Sequence, residues 1–110
     1  MNTQINYLYR DASNYKKHQS VVVEGTFTDE QMKAINKSLS EGLYFIPRQV
    51  GLPEERFDDV TEDDHCWFEI SIEDFKQTSN EPTELITAKD VYEGFARAGK
   101  EGWDVTIYAI

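Results

Sequence analysis

The chain has 110 residues, 39% of them hydrophobic and 13% aromatic, with a formal net charge of −10. That is one domain's length of chain, with enough large rings to build a core without staples, so wholesale disorder is excluded. The acidic balance argues against direct contact with nucleic acid or an anionic membrane, because both repel carboxylates.

Gln4 to Tyr9 is rich in β-formers and reads as a first strand. Asp11 to His18 is polar and reads as a loop, and Gln19 to Phe27, with Val21-Val22-Val23, as a second strand. The two strands are expected to form a hairpin. Thr28-Asp29-Glu30-Gln31 matches a capping box, in which the threonine hydroxyl and the glutamine amide satisfy each other's backbone donors. Met32, Ile35 and Leu39 follow at helical spacing, and Gly42 sits where a left-handed residue ends a helix, so a helix is predicted over 28–41.

Leu43 to Ile46 is a short apolar run stopped by Pro47, as suits an edge strand. Residues 48–61 read as irregular. From His65 to Phe75 the pattern alternates, with Cys66, Phe68, Ile70 and Ile72 on one face and Trp67, Glu69, Ser71 and Glu73 on the other, which predicts one strand with a wet face. Gln77 to Glu84 reads as a loop. Thr87 and Asp90 cap a second helix with Ala88, Val91, Phe95 and Ala98 as its buried stripe, and Gly94 weakens it by about 1 kcal/mol against alanine. Trp103 to Ile110 is predicted as a last strand, with Trp103, Val105 and Ile107 on one face. The expected fold is a single α+β domain, β-β-α-β-β-α-β, its antiparallel or mixed sheet of about five strands carrying both helices on one face.

The charge is unevenly distributed. Residues 1–50 carry six bases and five acids, a net +1; residues 51–110 carry five bases and sixteen acids, a net −11. Ten of those acids lie between Glu54 and Asp74, opposed there by Arg56 alone. A field of that size governs what the protein can approach.

Asp58, Asp59, Glu62, Asp63, Asp64 and His65 bring metal ligands to mind, but the spacing lacks the central glycine and the terminal glutamate of an EF-hand loop, and no metal site is assigned. His65 and Cys66 point to opposite faces of a strand, and a core-facing Cys66 is inert packing. No glycine-rich phosphate loop and no nucleophile elbow occurs, so no catalytic residue and no cofactor is assigned. Cys66 is the single cysteine, and an unpaired thiol fits a reducing compartment. The N-terminal MNTQINYLYR has no apolar signal core, and no apolar run nears the ~20 residues of a membrane helix. A cytoplasmic location is therefore expected.

Trp67 among carboxylates, with Tyr7, Tyr9 and Tyr15 as further candidate surface rings, has the composition of an interface that meets a basic surface: rings supply area and acids supply steering. Trp67 could equally cover a sheet edge; Tyr44, Phe45 and Phe57 read as core. The stretches Leu43 to Pro53 and Glu62 to Phe68 resemble segments of small bacterial proteins of no assigned activity, a resemblance that implies no site residues.

These features favour a non-enzymatic module that binds a basic protein surface through Glu54, Glu55, Asp58, Asp59, Glu62, Asp63 and Asp64, with Trp67 as apolar anchor. Carboxylates on one face of a strand repeat every ~6.6–6.8 Å, a spacing comparable to backbone phosphates. The sharpest form is thus a nucleic-acid mimic that inhibits a nucleic-acid-binding or defence protein of bacteria, as small acidic inhibitors from phages and mobile elements do. The alternatives are a small-ligand or metal-dependent protein using the acidic loop and His65 in a concave pocket, or a structural, oligomeric protein whose charge only keeps it soluble.

Overall fold

Alternation along the first strand organises the molecule. The computed structural model describes residues 1–10, 14–54 and 66–105. In β1 (Asn2–Arg10), Thr3, Ile5, Tyr7 and Tyr9 are buried, while the residues between them are only half-covered. β1 is the middle of the sheet. On one side it pairs antiparallel along its whole length with β2 (Lys16–Glu24). On the other it pairs with two short strands in succession, β4 (Phe68–Glu69) at Leu8–Tyr9 and β5 (Phe75–Thr78) at Asn2–Ile5, after β3 (Tyr44–Phe45) has joined β4 from outside. The order is β2-β1-β4-β3, with β5 beside β1, and every pairing is antiparallel.

Both helices, α1 (Asp29–Ser38) and α2 (Ala88–Glu101), start where their capping boxes predict. At α1, Thr28 Oγ accepts from the Gln31 amide at 3.1 Å while Gln31 Oε1 accepts from the Thr28 amide at 2.9 Å. Ile35 of α1 and Ala88, Val91 and Phe95 of α2 join Ile5, Tyr7, Tyr9, Val21 and Val23 in one core. Both helices therefore cover the same face of the sheet, and the chain is a single α+β domain of two layers, as expected.

The Asp90 carboxylate that caps α2 accepts from the Thr87 amide at 2.9 Å and from its hydroxyl at 3.1 Å. Those hydrogen bonds, the backbone one foremost, hold its pKa below the ordinary carboxylate value. Asp90 thus contributes stability that is complete above its unfolded-state pKa and is lost as the pH falls through its folded-state pKa. Urea unfolding of wild type and Asp90→Asn should differ at neutral pH and converge in acid below both pKa values; a gap that persists there would show that the carboxylate charge plays no part.

Several elements differ from expectation for local reasons. β2 begins at Lys16, so the hairpin loop is shorter than expected. α1 ends at Ser38 because the chain turns at once: Glu41 and Gly42 both adopt left-handed φ (54° and 73°), and Ser40 pairs with Tyr44. Gly42 therefore serves a turn between α1 and β3 rather than the helix end itself.

The predicted strand from His65 to Phe75 is interrupted. Ser71 and Asp74 form a capping box of their own, Asp74 Oδ2 accepting from the Ser71 amide at 3.0 Å, and Ile72–Asp74 makes a 3-10 turn. This insertion shifts the register by three residues between β4 and β5. Cys66, Phe68 and Ile70 face the core as predicted, but Ile72 is 37% exposed. β5 runs on to Thr78, so the fifth described strand precedes α2. At the other end Trp103–Val105 is not a strand, and the rest of the strand predicted there, 106–110, lies outside the described residues.

Candidate interaction surface

Residues 55–65 lie outside the described residues, and with them Glu55, Asp58, Asp59, Glu62, Asp63, Asp64, His65 and Phe57. Their flanks are well defined. Before the segment, Leu52 is buried, its amide bound to Pro47 C=O at 2.9 Å, and the Tyr7 hydroxyl donates to Pro53 C=O at 2.6 Å. Glu54 then accepts from the Arg48 amide at 2.9 Å and forms an ion pair with the Arg48 guanidinium at 3.4 Å. After the segment, Cys66 is buried and Phe68 enters β4. The residues on both sides of the acidic segment are thus held by the fold.

Besides the capping residues Asp74 and Asp90, Glu54 and Glu69 of the acidic half are engaged internally. The Glu54 side chain is only 6% exposed and is held by Arg48. Glu69 accepts from Arg10 Nε at 2.7 Å, and that hydrogen bond is the main reason the Arg10 pKa is raised. The break at Ser71 also means that Glu69 and Glu73 do not continue one evenly spaced row along a strand. Glu73, Glu81, Asp90, Glu93, Glu101 and Asp104 are exposed.

Trp67 is half-buried. Its ring lies 6.3 Å from that of Tyr44 and 6.4 Å from that of Trp103, centroid to centroid. Trp103 packs in turn on Phe45 and Phe95 and donates its indole N–H to Ser38 C=O at 2.8 Å. The three rings form an aromatic border beside the start of β4. Asp104, next to Trp103, has its amide held by Gln49 Oε1 at 2.7 Å, which sets another exposed carboxylate at this border. Asp104 could not be assigned to this border from sequence because only the fold brings Trp103 to Trp67.

Tyr7 and Tyr9, candidate surface rings by sequence, are core residues: Tyr7 meets Phe45 edge-on at 5.4 Å and Tyr9 lies 5.0 Å from Phe68. The face opposite Leu8 is the one the helices cover. Tyr15 is exposed, and Phe45 is fully buried as expected.

The outer face of the sheet carries a shallow depression of about 430 Å³ lined by residues including Asn6, Leu8, His18, Ser20, Glu69 and Asp74. Its carboxylates already serve Arg10 and the Ser71 amide. The pocket expected beside His65 lies outside the described residues. Cys66 sits just before β4 while His18 is on β2, with β1 between those strands. Among the described residues no group of three or more His, Cys, Asp and Glu side chains could hold a metal ion, and no helix is long and apolar enough to cross a membrane. Comparison with family models, with curated proteins and with solved structures finds no match to this chain.

Proposed function

We propose that the protein is a non-enzymatic binding module that offers the carboxylates of its 55–64 region to a basic surface on another protein. In its sharpest form it occupies the nucleic-acid site of that partner, a bacterial nucleic-acid-binding or defence protein, in the cytoplasm. The observation that carries this reading is the placement of charge: a half-chain of net −11 whose densest stretch is inserted between two fixed points, Pro53–Glu54 and Cys66–Trp67. Fixing the ends of a charged segment lowers the entropy lost when it docks, and the clustered field speeds encounter with an opposite charge. Tyr44, Trp67 and Trp103 would add apolar contact at the border.

Asp59→Lys, Asp63→Lys and Asp64→Lys together change the net charge from −10 to −4. A companion variant with Glu30→Lys, Glu81→Lys and Glu93→Lys makes the same change elsewhere. Immobilised wild type should retain a basic, nucleic-acid-binding protein from bacterial lysate at low salt and release it at high salt, as read by mass spectrometry. The first variant should lose that protein and the companion should keep it. Equal retention by both variants would mean that position does not matter and that the charge only solubilises.

A further inference from the structure

The hydrogen-bond parity of β2 shows which way its backbone groups point. The Val22 carbonyl accepts from the Thr83 amide at 2.8 Å, and the Val22 amide donates to Thr83 Oγ1 at 2.9 Å, so both groups face away from β1. Because antiparallel strands alternate, the N–H and C=O of Lys16, His18 and Ser20 face the same outer edge. Among the described residues the chain covers one end of this edge, where Thr83 and Glu84 bind Val22 and Thr87 bridges to Glu24. Among the described residues nothing pairs with the outer backbone groups of Lys16, His18 and Ser20, and all three residues are exposed. About 14 Å of strand edge is thus open.

The sign of this stretch is opposite to that of the whole protein. Lys16–Ser20 holds two lysines, an exposed histidine and no carboxylate, whereas the covered end of the strand closes on Glu24. We infer that this edge takes up an extended acidic segment of a partner protein by strand addition, with backbone hydrogen bonds to Lys16, His18 and Ser20 giving affinity and the lysines selecting for carboxylates. A second copy of the chain is a poorer occupant, since β2 against β2 gathers four lysines along one seam and brings together two bodies of charge −10. The edge is separate from β4, the strand that follows the acidic segment in the chain, because β1 lies between β2 and β4.

The probe is a fluorescently labelled peptide of alternating glutamate and valine, with a lysine–valine peptide as control, followed by anisotropy. The glutamate peptide should bind and the lysine peptide should not. His18→Pro removes one outward amide at a position where an edge strand tolerates proline, and it should weaken binding about tenfold or more; His18→Ala should bind like wild type. In the wild type, hydrogen exchange at the amides of Lys16, His18 and Ser20 should slow on binding. Absence of binding, equal binding of the lysine peptide, undiminished binding by His18→Pro, or slowed exchange confined to other strands would each overturn the proposal. So would a wild-type dimer whose outer β2 amides are already protected and become exposed in His18→Pro, since the occupant would then be a second copy.

Discussion

Phe45→Ala is expected to cost about 3–5 kcal/mol, the usual range for removing a fully buried phenylalanine. Phe45 is 0% exposed although it belongs to a strand of two residues. Its ring meets Tyr7 edge-on at 5.4 Å, stacks on Phe95 at 5.5 Å, and touches Phe68 and Trp103 edge-on at 6.5 Å each. One side chain therefore ties the central strand, the far edge of the sheet, α2 and the segment after α2. Two of these neighbours are held elsewhere, Tyr7 by Pro53 and Trp103 by Ser38, which limits collapse into the space. Against a total stability of about 5–15 kcal/mol for a small domain, the loss is a large fraction. The urea midpoint should fall by more than about 1 M, given slopes of ~1–3 kcal/mol/M. Leu85→Ala, at a side chain fully open to solvent, should stay within about 0.5 kcal/mol of wild type. If Phe45→Ala proves equally mild, the aromatic core is not what closes the sheet onto α2.

Features set by neighbours in the chain were legible in the sequence, and features set by distant contacts were not. Thr28–Gln31 and Thr87–Asp90 announced their helices because a capping box is complete within four residues. The same chemistry at Ser71–Asp74 was hidden under the alternation of Cys66, Phe68, Ile70 and Ile72, which a continuous strand would also show. β1 has large side chains on both faces, so its pattern gives the period but not the inward side. Tyr7 is inward because its ring enters the core while its hydroxyl reaches Pro53 C=O, 46 residues away. For the candidate surface, the density of acid is a property of composition and could be read directly. The direction of one carboxylate could not: Glu54 is turned inward by Arg48. The open edge of β2 likewise becomes visible only once Thr83 and Thr87 are seen to cover one end of it.

The strand that follows the acidic segment in the chain, β4, is separated from the lysine-bearing edge strand β2 by β1.

Gly94→Ala should destabilise the protein by about 1–2 kcal/mol, although the same change in an open helix is worth about 1 kcal/mol of stabilisation. Gly94 has ordinary helical backbone and lies on the buried face of α2. A Cβ placed there would come 2.7 Å from Val50 Cα and 3.0 Å from Val50 Cβ. The obstacle is backbone and cannot swing aside. Val50 ends the 3-10 turn Pro47–Val50, which the Leu52 amide closes onto Pro47 C=O. Four residues later the chain reaches Glu54, which Arg48 of the same turn holds. Pushing Val50 away therefore disturbs both the packing of α2 and the anchor from which the acidic segment departs. The unfolding midpoint of Gly94→Ala should fall, and partner retention in the lysate assay should fall with it. A rise in stability of about 1 kcal/mol, the gain from helix propensity alone, would mean that the Pro47–Val50 turn yields freely. A yielding turn would not hold the acidic segment in place, and the case for a preset binding surface would lose its structural support.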